Sequence, residues 1–151
     1  MTLPFATVNS DEQAISNLIF RYAELVDAGR LDAVGDLFVH GDYRSGPTGV
    51  RGAGVTALME RFVKRYPDGT PLTQHVTTNV QINFSSPTQA STHSLITVFQ
   101  ACESLPLSPI CAGYYDDTFA KVDGIWQFAD RLITMRLTGD LSQHLDTGAL
   151  R

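Results

Sequence analysis

Up to the turn Pro67-Asp68-Gly69 the apolar residues of this chain recur at helical spacing, and beyond it they alternate almost to the end. A single switch of period constrains the fold more than any motif does, because it puts helices first and strands afterwards. Ile15, Leu18, Ile19, Tyr22, Leu25 and Val26 define one buried helical stripe, opened by a capping box of Ser10 and Gln13 and closed at Gly29. Leu31, Val34, Leu37 and Phe38 restart the pattern on a shorter helix. Five glycines and one proline between Gly41 and Gly54 imply turns around a short strand at Tyr43. Val55 to Tyr66 then reads as a third helix, stopped by Pro67.

In the second half, Val76, Val80, Ile82 and Phe84 alternate with polar residues in a first strand. Ala90 to Ala101, Gly113 to Lys121 and Ile125 to Leu137 supply three more, with turns at Ser85-Ser86-Pro87 and Asp123-Gly124 and a loop from Leu105 to Pro109. Short connections between strands require antiparallel pairing, so the fold class is α+β and not a parallel α/β sheet. Met1 to Val8 reads as a short arm and the polar tail after Thr138 as loose. A length of 151 residues with 43% hydrophobic content suits one domain, 1–151, with its core in about 10–137.

A formal net charge of -5 with no basic cluster argues against nucleic-acid and anionic-membrane partners. Cys102 and Cys111 lack the spacing of a zinc knuckle or a CxxC redox pair, and His40, His75, His93 and His144 share no helical metal-ligand spacing, so no metal is expected. No GxSxG, GxxxxGK[ST] or GxGxxG occurs. No charged segment followed by an apolar signal core opens the chain, and a reducing cytoplasm is the expected location. Acid–base chemistry or ligand binding remains.

The residues available for it each have a plain structural alternative. Tyr22 falls on the buried stripe, so its ring is core and its hydroxyl requires a partner or a cavity. Asp27 ends the first helix, where the macrodipole disfavours a carboxylate unless solvent or a partner compensates. Strict alternation places His75, Thr77, Asn79 and Gln81 on one strand face and Val76, Val80 and Ile82 on the other, so His75 and Asn79 face water unless the fold has a hollow. Gly113, Tyr115, Asp117 and Phe119 share a face of a later strand, as the wall of a cavity or a plain strand pairing would have them. Arg131, in an apolar last strand, suits pairing with Asp27 or Asp117, or a substrate oxygen. Tyr43 lies in the Gly-rich segment with a hydroxyl free to orient a water or leaving group.

Taken in order, Tyr22, Asp27-Ala28-Gly29, Leu37-Phe38, His75-xxx-Asn79, Gly113-x-Tyr115-x-Asp117-x-Phe119 and Asp123-Gly124-x-Trp126-x-Phe128-xx-Arg131 resemble the SnoaL-like branch of the NTF2-like superfamily over about residues 10–137. The resemblance implies a cone: a curved antiparallel sheet wrapped around three N-terminal helices, with an apolar pocket into which polar strand residues point. It also implies a homodimer or homotrimer formed through the outer sheet face, for which Val76, Val80, Ile82 and Val98 are available. Among its members, scytalone dehydratase and hexachlorocyclohexane dehydrochlorinase are lyases with an Asp at the end of the first helix beside a strand His, and Asp27 and His75 match that pair. Ketosteroid isomerase has an oxyanion-stabilising Tyr and Asp where Tyr22 and Asp117 fall, while Gly46 falls at or near its base. His93 lies in the strand that carries a second dehydratase histidine. The resemblance thus implies a cofactor-independent lyase with Asp27, His75 and Tyr22 as catalytic residues. Tyr43, Asn79, Tyr115, Asp117 and Arg131 would contact a small, mainly apolar cyclic substrate. It leaves open a non-catalytic ligand-binding or dimerisation domain and an isomerase- or cyclase-like enzyme.

Overall fold

A computed structural model describes residues 10–146 and 148, and the side chain of Ser10 and the segment Met1 to Val8 lie outside that description. In order, the chain forms α1 (Ser10–Asp27), α2 (Leu31–Leu37), β1 (Asp42–Arg44), α3 (Ala53–Phe62), β2 (Thr73–Ser86), β3 (Gln89–Cys102), β4 (Leu105–Val122) and β5 (Ile125–Thr138). The five strands make one sheet in the order β1-β5-β4-β3-β2, antiparallel except for the parallel β1–β5 pair. The helices lie against one face of it: Ile15, Ile19, Tyr22, Leu25 and Val26 of α1 join Ile96, Val98, Tyr115, Phe119 and Phe128 of the sheet in a single buried core.

α1 stops where the glycine predicts. Gly29 takes φ +69°, and the amides of Gly29 and Arg30 bond the carbonyls of Val26 and Leu25, which satisfies two terminal carbonyls and turns the chain toward α2. At the far end, Asp123 and Gly124 both take positive φ, which gives the β4–β5 hairpin the turn twist that matches its strands.

Two boundaries differ from the sequence expectation for one shared reason. α3 ends at Phe62 rather than Tyr66, because Val63 turns extended and pairs with Leu145. Consequently residues 139–146 of the tail are docked, not loose. The Lys64 and Asp146 amides bond the carbonyls of His144 and Phe62 at 2.8 Å each, Tyr66 Oη and Gln100 Nε2 both donate to the carbonyl of Gln143, and Leu141 packs on the core. Backbone pairing with a distant segment leaves no periodic trace in either sequence. Leu105 to Pro109 is likewise strand rather than loop. Its prolines fit because register shifts between Val98 and Phe99 and between Gln100 and Cys102 interrupt the ladder beside Pro109 and Pro106.

Strand parity is the other departure. From Thr78 to Gln81 β2 advances three residues while β3 goes from Leu95 to His93, so one residue of β2 is surplus, and Asn79, at φ +52°, is the one that bulges. Before the bulge, His75 and Thr77 oppose the buried Val98 and Ile96; beyond it, Val80 and Ile82 pack on the same core. All four therefore face the helices, where strict alternation divided them between two faces. Asn79 itself is exposed on the bulge and does not point inward with His75. β5 repeats the device. Between its pairings with Thr118 and Phe119 the strand runs from Asp130 to Phe128, making Ala129 surplus and turning Arg131 to the same side as Phe128.

Candidate functional site

Asp27 sits at the C-terminal end of α1, where the macrodipole disfavours its charge, and three donors compensate for that position. The His75 backbone amide donates to Oδ2 at 2.7 Å, and Thr73 Oγ1 donates to Oδ1 at 2.8 Å. Nδ1 of the His75 ring lies 2.6 Å from Oδ1. An ionised carboxylate only accepts, so Nδ1 is the donor of this contact, and in the neutral form of the ring Nε2 is the nitrogen that holds the lone pair. Only 8% of the His75 side chain is exposed. Helix end and strand thus form a carboxylate–imidazole pair with one basic nitrogen uncommitted among the described residues.

A second histidine faces this pair. His144, in the docked tail, is 7% exposed, and its ring centroid is 6.3 Å from that of His75 at an interplanar angle of 67°. Burial, and next the proximity of His75, push its pKa down to about 4, with Asp27 acting the other way. His144 is therefore neutral at physiological pH. Sequence reasoning passed it over, since a lone histidine in a polar tail has no period; the only cue was Leu141 and Leu145 around it.

Five residues earlier in α1, Tyr22 belongs to a distinct buried cluster. Its hydroxyl is 2.9 Å from that of Tyr43, and its ring lies across the Arg131 guanidinium at 4.3 Å, with Tyr115 at 4.0 Å. Arg131 forms a bidentate pair with Asp117, Nε to Oδ1 at 2.8 Å and Nη2 to Oδ2 at 2.7 Å, both side chains wholly buried. Burial alone would lower the guanidinium's pKa, but the Asp117 charge and hydrogen bonds outweigh it and hold Arg131 above its ordinary value. Burial raises the pKa of Tyr22 and pushes those of Tyr43 and Tyr115 well up, so all three phenols keep their protons. Five residues along a helix separate Tyr22 from Asp27, a rise of about 7.5 Å.

The remaining expected residues lie apart. Asn79 is exposed, and His93 is on the outer sheet face, its Nδ1 2.7 Å from Asp116 Oδ1. Two surface concavities, of about 420 and 230 Å³, are lined by α1 residues such as Asn17, Phe20 and Arg21 and by His40 with β4 and β5 residues such as Val122 and Gln127; neither is lined by Asp27 or His75. The unusual feature of the interior is instead unpartnered polarity. Thr77 Oγ1, Thr92 Oγ1, Ser94 Oγ, Arg131 Nη1 and His144 Nδ1 are buried without a hydrogen-bond partner. Among the described residues no group of three or more His, Cys, Asp or Glu side chains is arranged to hold a metal ion, and no helix is long and apolar enough to cross a membrane.

A curved, unclosed sheet around three helices is the NTF2-like cone. The chain belongs to the SnoaL-like domain family, which residues 8–132 match. In solved structures it is similar to a proposed scytalone dehydratase from Novosphingobium aromaticivorans DSM 12444, at 25% identity and a TM-score of 0.69 over 87% of each chain. It is also similar to an NTF2-like protein with a cystatin-like fold from Novosphingobium aromaticivorans, at 20% identity and a TM-score of 0.68 over 94% of this chain and 90% of that one. A type 2 hexachlorocyclohexane dehydrochlorinase matches at 14% identity and a TM-score of 0.68 over 91% and 90%. None of the curated proteins matches in sequence.

Proposed function

We propose that this protein is a cofactor-independent lyase of the dehydratase type, acting on a small, mainly apolar cyclic substrate. His75 Nε2 removes a proton from a carbon, and Asp27 keeps the ring in the required tautomer and stabilises the imidazolium that forms. The observation that carries this reading is the 2.6 Å contact between His75 Nδ1 and Asp27 Oδ1, reinforced by the two further donors on that carboxylate. Likeness at 25% identity to a proposed scytalone dehydratase supports elimination of water as the form of the reaction. Tyr22, protonated and backed by the Arg131 charge, is assigned to steady oxygen charge as it develops, with Tyr43 and Tyr115 beside it. Asp117 serves Arg131 rather than substrate, because both its oxygens are taken. An isomerase-like role with a protonated Asp117 is disfavoured for that reason.

Turnover of a panel of cyclic β-hydroxy ketones, followed as loss of water by mass spectrometry, tests the reading. His75→Ala and Asp27→Asn should each remain folded and lose about 10²–10⁴-fold in turnover. Near-normal turnover in either variant ends it. A ligand-binding role without catalysis is the second reading, favoured by the closed interior around the unpartnered polar atoms. Bound but unconverted ligands across that panel would select it.

We further propose self-association as a homodimer or homotrimer through the outer sheet face. Val80, Ile82 and Val98 face the helices and cannot contribute, so the contact rests on residues such as Leu95 and Leu137, which are 39% and 68% exposed.

A further inference from the structure

Residues 139–146 lie beyond those that match the family, yet this segment is fastened to α3, β3 and the Val63–Tyr66 stretch by backbone and side-chain hydrogen bonds. Its effect is to set one imidazole edge-on to His75 with a buried nitrogen, Nδ1, that meets no partner. On the same inner face of β2, one inward position from His75 and so about 7 Å along the strand, the hydroxyl of Thr77 is also buried and unpartnered. Leaving two such groups unbonded costs stability, and both flank the proposed base.

We propose that His144 is a substrate-contacting residue of the reaction centre, its Nδ1 exchanging a hydrogen bond with a hydroxyl group on the carbon next to the one that His75 deprotonates. A hydroxyl both donates and accepts, so it suits either tautomer of His144, whereas a hydrocarbon or halogen substituent satisfies neither well. Because His144 resists protonation, it stays a neutral hydrogen-bonding group when His75 becomes an imidazolium, and no second positive charge develops beside the first. Thr77 Oγ1 offers the same oxygen, or its neighbour, a second contact. The substrate class that follows is an oxygenated ring, alcohol or enol. Access to Nδ1 requires the 139–146 segment to lift, since that atom has almost no exposure in the docked state.

This inference rests on the dyad being the reaction centre, and its test is independent of turnover. Phenol and toluene have the same shape and differ in one hydroxyl, so their binding to the whole protein isolates the proposed contact. With histidine-15N-labelled protein, phenol should bind at least tenfold more tightly than toluene and move the His144 Nδ1 resonance. His144→Asn, which keeps a polar atom near that position, should retain the preference, and His144→Phe should abolish it. Equal binding of the two probes, no phenol binding, or an unmoved His144 resonance overturns the proposal even if the Phe variant fails to fold. A preference surviving in a folded His144→Phe overturns it too. A response to both probes alike marks only a displaced water and also overturns it. If His75→Ala keeps full turnover while the phenol preference holds, the lyase reading fails and the His144 contact stands.

Discussion

Arg131 shows how much one residue's role depends on what surrounds it. In sequence it was a charge in an apolar strand, with Asp27 and Asp117 equally available as partners. In the fold it lies between three aromatic rings with Asp117 holding two of its nitrogens, and Asp27 is left free for His75. Partner choice of this kind follows from where two strand positions meet, Asp117 opposite Arg131, and no local rule predicts it. Removing one member strands the other charge in the core. Arg131→Met should therefore cost about 3–5 kcal/mol in urea unfolding, while the double variant Arg131→Met/Asp117→Leu should recover much of that loss. A double variant no more stable than the single one would show that the aromatic stacking, not the ion pair, dominates at Arg131.

Among the elements, β2 was legible as a strand but not in its facing. Uninterrupted alternation through Asn79 sends His75 and Val80 to opposite sides. One surplus residue in the left-handed region reverses the parity and brings both to the core side. Asparagine tolerates that conformation better than most residues with a side chain, but its presence in a strand is too common to announce a bulge. Deleting Asn79 should restore strict alternation and force either His75 and Thr77 or Val80 and Ile82 outward. We expect loss of the Asp27 contact, seen as loss of turnover to the level of His75→Ala, together with a lower melting temperature. Asn79→Gly, which accepts the same φ, should leave both nearly unchanged. Unaltered activity in the deletion variant would show that the bulge does not aim His75.

Over the whole molecule, the sheet has one face covered by helices and one open, and the bulges decide which apolar residues go to each. The four side chains offered for an outer contact shrink to Val76, while Leu95 and Leu137 take their place by register and exposure. Light scattering at tens of micromolar should report a dimer or trimer, and Leu95→Asp with Leu137→Asp should shift it to monomer without changing the His75–Asp27 site. A wild-type monomer at that concentration would end the expectation. A stable contact would need to bury about 800 Å² on each copy, against the mutual repulsion of two chains each of net charge -5.

Sequence alone determined the order of elements and the α+β class, and it offered the pair on which the proposed chemistry rests. Those depend on local periodicity, on a glycine at a helix end, and on residue types that recur in a known order. Only the tertiary structure decided that His75 faces inward, that Asp117 is committed to Arg131, and that His144 joins the interior. Each of these is set by a bulge, a cross-strand partner or a docked tail, and such contacts between residues distant in sequence carry no period of their own.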